Sequence, residues 1–365
     1  MKPKKRRILF SVLKLTGIGI GFVIIVLLSA FCTVLGFENS DCDNLNGIEK
    51  REFSCYRGDF EIRGTVFLPK EKSDLPIAIV SHEFMTNRLF AYPYASGLAR
   101  CGYAAFCFDF CGGGILCGSQ GDSRDMSVMT EKEDLRAVIA FAKEQTYTND
   151  TPILLMGCSQ GGLVSALTAA EMGNEVGGLI LQYPALQIPD AARKGEMLWM
   201  KFDPDNIPEQ MWSGPMRIGN RYVTDVIDID TLPTITQYTG NVLIIHGDKD
   251  TLVNIAGSEK AKEAYLAAGA DVRMEIIEGG NHIFLKPKHI NTAKSFVAEF
   301  AKECIFVGSL YVQKSAETML EKNPRTHLSQ IKSAYAYCHF MCQHYGNAAV
   351  IHGCVLFLVQ VECNH

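Results

Sequence analysis

Among the residues of this sequence that could do chemistry, Ser159 stands out. The apolar run Ile153-Leu154-Leu155-Met156 leads into Gly157-Cys158-Ser159-Gln160-Gly161, a G-x-S-x-G element followed by the small residues of a helix. A nucleophile on a tight strand-to-helix turn needs an unusual backbone, and Gly157 and Gly161 let neighbouring chain approach it. At a helix N-terminus, free N–H groups also stabilise developing negative charge. A hydroxyl needs a base, and the base needs an orienting group. The strand Asn241 to His246 ends in Gly247-Asp248-Lys249-Asp250, and Ile277-Glu278-Gly279-Gly280-Asn281-His282 ends the next one. We therefore expect His282 as general base and Asp250 as its orienting acid, in the chain order Ser, Asp, His. His246 is the rival base, although its place at the end of an apolar run suits a structural role. Asp248 is the rival acid.

The tetrahedral intermediate of such chemistry needs two donors aimed at its oxyanion. The backbone N–H of Gln160, next after the nucleophile, supplies one. The loop Ser81-His82-Glu83-Phe84-Met85, after the apolar run Ile77 to Ser81, supplies the other, and Phe84 is the expected donor.

These loops need a scaffold, and strand-like and helix-like patterns alternate from about residue 51. Asp59 to Leu68 alternates in polarity, as an edge strand does. Ile77 to Ser81, Tyr103 to Phe110, Pro152 to Gly157, Gly177 to Tyr183, Asn241 to His246 and Val272 to Ile277 read as strands. Tyr92 to Cys101, Thr130 to Gln145 (a capping box with Glu133), Gln160 to Met172, Ala256 to Ala268 and His289 to Lys302 read as helices. That alternation argues for a mostly parallel sheet flanked by helices, with ligands at the carboxyl ends of its strands. Residues 185–235 break the pattern and read as an inserted cap, whose Trp199, Trp212 and Tyr222 are candidate pocket walls.

Composition narrows the function classes. With 47% apolar and 21% charged residues, the chain can bury a core, and a net charge of −5 without a basic stripe in its body excludes a nucleic-acid footprint. Basic residues crowd positions 2–14, and an uncharged run from Leu15 to Phe37 is long enough to span a bilayer. The expected layout is a cytoplasmic segment (1–14), a transmembrane signal anchor (15–37), a linker (38–50), an extracytoplasmic catalytic domain (51–303) and a C-terminal extension (304–365). A cleaved signal peptide is the alternative to the anchor. The thirteen cysteines fit no metal spacing in the body of the chain. Cys42 with Cys55 and Cys111 with Cys117 are conceivable disulfides, but most cysteines read as small buried hydrophobes. The tail holds Cys338, His339, Cys342 and His344, a spacing that matches no common zinc motif, so neither metal nor cofactor is expected.

These motifs together resemble the α/β-hydrolase superfamily, over residues 55–303. The chain is especially similar to bacterial cinnamoyl/feruloyl esterases and serine aminopeptidase-like hydrolases. It carries His82-Glu83-Phe84 where they have His-Gly-Phe, and it shares Phe108-Asp109-Phe110 and the acid motif His246-Gly247-Asp248-Lys249-Asp250-Thr251-Leu252-Val253. The resemblance implies an α/β-hydrolase fold and favours Asp250 over Asp248. It implies a serine hydrolase acting on a small-molecule ester, or alternatively on short peptides. A membrane-anchored binding or scaffold protein on the same fold is the reading from another class. The sequence departs from the family at Glu83 and at Cys111 to Cys117.

Overall fold

The computed structural model describes the backbone of residues 47–322 and the side chains of residues 47–305. Residues 1–46, with the expected anchor, and 323–365 lie outside that range. Among the described residues no helix is long and apolar enough to cross a membrane.

An eight-stranded sheet forms the frame, in the order β1-β2-β4-β3-β5-β6-β11-β12. Its strands are β1 (Ile48–Arg57), β2 (Phe60–Pro69), β3 (Ile77–Ser81), β4 (Ala104–Phe108), β5 (Ile153–Cys158), β6 (Val176–Gln182), β11 (Asn241–Gly247) and β12 (Asp271–Ile277). From β4 to β12 all neighbours run parallel, and β1 and β2 add an antiparallel hairpin at one side. The central strands are buried on both faces, as a parallel sheet covered by helices requires. Along β5, Ile153 and Leu155 pack into one core while Leu154, Met156 and Cys158 pack into the other. Helices α2 (Val128–Lys143), α3 (Gln160–Met172) and α7 (Ala256–Ala267) cover the first face. Helix α1 (Arg88–Arg100) and the first part of α8 (Pro287–Lys322), through Ile305, cover the second.

Several expectations are corrected. The alternating segment at 59–68 is not an edge, because β1 pairs along its whole length from Ile48↔Pro69 to Arg57↔Phe60. Gly64 to Pro69 are all buried, so the alternating polarity of this segment does not mark a solvent-facing side. β1 also begins inside the expected linker. Helix α1 starts earlier than expected, where Asn87 accepts the Leu89 N–H, and α2 is capped by Ser127, with Thr130 as its reciprocal partner. Cys111 and Cys117 are free thiols. The last helix runs on from the expected domain end to Lys322, and the chain divides into compact units at Ile305/Phe306.

Between β6 and β11 stands the cap. It is built from α4 (Ile188–Arg193), the hairpins β7 (Glu196–Met197) with β8 (Met200–Lys201) and β9 (Gln210–Ser213) with β10 (Met216–Gly219), then α5 (Arg221–Thr224) and α6 (Thr231–Ile235). Strands of two to four residues carry no readable period, so the sequence pattern breaks there.

Candidate active site

Ser159 follows β5 at the centre of the sheet and is 7% exposed. Its backbone is at φ 50°, ψ −116°, a conformation few L-residues adopt and one that tight functional turns retain. Close packing enforces the turn. A Cβ on Gly157 would lie 2.0 Å from the Gly161 carbonyl oxygen, and one on Gly161 would lie 2.4 Å from that of His82. The Ser159 N–H donates to Gln182 O, and the Ser159 carbonyl accepts from Gly162 and Ala185.

The structure brings the three separated loop residues together. His282 Nε2 lies 2.9 Å from Ser159 Oγ, and His282 Nδ1 lies 2.7 Å from Asp250 Oδ2. Asp250 Oδ1 accepts from the N–H groups of Leu252 and Val253. Burial works against the ionised form of Asp250, but hydrogen bonds from His246 and His282 outweigh it and hold the carboxyl well below its ordinary range. The rivals take other places. His246 is fully buried on Asp250, with Nε2 facing Asp250 Oδ2 and Val253 O, both at 3.1 Å, so that nitrogen carries a proton. Its Nδ1 meets the Ser258 hydroxyl at 2.8 Å. Asp248 accepts the Gly279 N–H at 2.6 Å and ties two loops together.

The loop after β3, expected to supply an oxyanion donor, is equally constrained. His82 Nδ1 lies 2.7 Å from Glu83 O, and Nε2 accepts the Phe110 N–H at 3.1 Å. Burial pushes the His82 pKa down, which favours the neutral ring this pattern needs. Glu83, at the position where glycine is expected, turns inward. Its Oε1 accepts from Tyr183 Oη at 2.8 Å and its Oε2 from Thr86 Oγ1 at 2.9 Å. The Phe84 N–H makes no hydrogen bond among the described residues. The Gln160 N–H belongs to the first turn of α3, where a helix leaves donors unpaired.

Sequence reasoning missed several neighbours. The Tyr183 ring lies 4.8 Å from that of His282 and also packs on Phe284. Glu131 Oε2 accepts from Gln160 Nε2 at 2.7 Å. Neither Tyr183 nor Glu131 carries a motif, because each acts through contacts that only the fold makes. The candidate walls separate: Trp199 and Trp212 are 41% and 63% exposed, whereas Tyr222 is fully buried.

One trio with metal-ligand chemistry lies close together among the described residues: His82, Asp109 and Cys117, with ligand atoms within 4.8 Å. The lone pairs are already engaged. Besides the His82 contacts, Asp109 accepts from the Arg88 and Gly118 N–H groups and from the Arg88 guanidinium. Burial raises the Cys117 thiol pKa and disfavours the thiolate a metal would bind.

Similarity to known proteins follows the geometry. The family model described as Serine aminopeptidase, S33 matches residues 79–225. Est1E from Butyrivibrio proteoclasticus, solved with ferulic acid bound, is 28% identical, with a TM-score of 0.64 over 69% of this chain and 99% of that one. The Pyrococcus furiosus esterase Pf2001 (20% identity, TM-score 0.53, 72% of this chain and 94% of that one) shares the fold. So does mouse alpha/beta hydrolase domain-containing protein 10 (17% identity, TM-score 0.54, 69% and 99%). No curated protein sequence matches significantly.

Proposed function

We propose that this chain, for which the family match and the likeness to Est1E support an α/β-hydrolase superfamily assignment, is a serine hydrolase that cleaves carboxylic esters through an acyl-enzyme intermediate. An esterase-like hydrolase is what the family match and the likeness to Est1E support. The observation that carries the finer reading is the imidazole of His282 held between Ser159 Oγ at 2.9 Å and Asp250 Oδ2 at 2.7 Å.

In this mechanism Ser159 Oγ attacks the ester carbonyl while His282 Nε2 takes its proton. The carbonyl oxygen becomes an alkoxide facing the N–H groups of Phe84 and Gln160, and each such donor contributes about 10²–10³ in rate. Collapse breaks the ester C–O bond, and His282 returns the proton to the departing alcohol. Water then repeats the sequence on the acyl-enzyme and releases the carboxylic acid. Asp250 keeps the Nδ1–H tautomer of His282 and stabilises its cation.

The serine aminopeptidase description of the matching family favours a second reading, cleavage of short peptides by the same three residues. The ferulic acid bound to Est1E makes aromatic acyl esters the first substrates to try. The test combines a fluorophosphonate probe with turnover of p-nitrophenyl esters, methyl ferulate and aminoacyl-nitroanilides, with Ser159→Ala as control. We expect labelling and ester turnover that both vanish in Ser159→Ala. Turnover of the anilides alone would select the peptidase. Folded protein that neither labels nor turns over would leave the binding or scaffold reading. The basic residues from Lys2 to Arg7 and the uncharged run Leu15 to Phe37 support anchoring in the cell membrane with the hydrolase outside. Extraction with detergent but not with carbonate tests that placement.

A further inference from the structure

Gln160 is held at both ends of its side chain, and its two holders come from different parts of the fold. Its Nε2 donates to Glu131 Oε2 at 2.7 Å, on α2 in the core. Its Oε1 accepts from Tyr222 Oη at 2.5 Å, on α5 in the cap. The Tyr222 ring also stacks on Phe84, with centroids 5.5 Å apart and planes 30° from parallel. One cap side chain therefore touches both residues whose backbone N–H groups face the oxyanion in the reading above. Tyr222 and Gln160 are 0% and 1% exposed, so the contact is shielded from water and its hydroxyl is already engaged.

The cap is fastened where this contact needs it. Ser123 Oγ donates to Arg217 O, and Ser127 Oγ donates to Asp225 Oδ2, both at 2.6 Å. A Cβ on Gly219 would lie 2.0 Å from Arg124 O, so the end of β10 runs directly against that backbone. These ties flank Tyr222 on both sides and lead along residues 123–131 to Glu131.

We propose that Tyr222 is a positioning residue of the oxyanion hole, through which the docked cap holds the Gln160 and Phe84 donors at their working separation. The proposal rests on the serine-hydrolase reading. It gives the cap a part in the chemical step besides enclosing substrate. A donor that drifts loses transition-state stabilisation while ground-state binding is unaffected, so the effect falls on kcat rather than KM.

The test uses the full chain, a p-nitrophenyl ester, and a trifluoromethyl ketone whose Ser159 hemiketal places an alkoxide in the hole. Tyr222→Phe keeps the ring on Phe84 and removes the hydrogen bond. We expect kcat to fall about tenfold with KM nearly unchanged, and the ketone to weaken by the same factor. Gln160→Leu breaks the same bond from the other end, together with the one to Glu131, and keeps the backbone N–H, so it should lose at least as much. The double variant should be no worse than the poorer single variant. An unchanged kcat in either folded variant overturns the proposal, as do losses that simply multiply. A rise in KM alone would make Tyr222 a wall of the substrate pocket. Wild-type protein without Ser159-dependent turnover would overturn the hydrolase reading itself, a result visible before any Tyr222 variant is made.

Discussion

Replacing Gly161 with alanine probes how closely the Ser159 turn and the loop after β3 must approach. The new Cβ would sit 2.4 Å from His82 O and 2.7 Å from Ser81 O, both backbone atoms that no rotamer change can move. Ordinary contact needs about 3.4 Å or more, so α3 and the strand end of β3 must separate by about 1 Å. Overpacking of this kind costs about 1–3 kcal/mol of stability. Because Gln160 lies on one side of the gap and Phe84 on the other, the same shift spreads the two proposed oxyanion donors. A 1 Å misplacement costs about 100-fold in rate. The assay is kcat and KM for a p-nitrophenyl ester beside a thermal melt. Gly257→Ala is the control, since its Cβ meets nothing within 4 Å on helix α7. That variant should gain about 0.4–1 kcal/mol and keep its activity. A Gly161→Ala protein that is folded at assay temperature and retains full kcat would refute the reasoning.

Three other outcomes follow from the site. Asp250→Asn should lower kcat by about 10³–10⁴, because an amide N–H facing His282 Nδ1 forces its proton onto the nitrogen that must accept from Ser159. Asp248→Asn, which still accepts the Gly279 N–H, should leave kcat within a few-fold of wild type, and steady-state kinetics of the pair would reverse the assignment if Asp248 proved the costlier loss. Burial raises the Glu131 carboxyl pKa well above its ordinary value. The unfolded chain then ionises first as pH rises, so Glu131 erodes stability from the ordinary carboxylate range upward. Glu131→Gln should therefore gain in melting temperature relative to wild type between pH 5 and pH 8, and a difference independent of pH would contradict this.

Much of the site was readable one residue at a time, because each part announces itself locally. Ser159 sits between glycines at a strand end, and Asp250 and His282 each close an apolar run. Those patterns arise because a parallel sheet buries its strands and leaves chemistry to the loops beyond their carboxyl ends. The His246-to-Val253 motif pointed to Asp250 rather than Asp248, and it is Asp250 whose carboxylate meets His282 Nδ1. Tyr222 shows the opposite case. Its aromatic character suggested a pocket wall, yet the fold spends its hydroxyl on Gln160 and its ring on Phe84. Glu83 likewise stood out only as a departure from glycine, until its carboxylate was found against Tyr183 and Thr86.

The sequence by itself determined the strand-and-helix alternation, the tight glycine-flanked turn at Ser159, and the order of the loops that carry Ser159, Asp250 and His282. Periodicity and glycine placement are properties of neighbouring residues, and they survive without any knowledge of distant contacts. Tertiary structure alone decided that β1 lies outside β2, that His246 backs Asp250, and that the cap reaches Gln160 and Phe84 through Tyr222. Each of these depends on atoms far apart along the chain meeting within hydrogen-bonding or packing distance, and no local pattern encodes such a meeting.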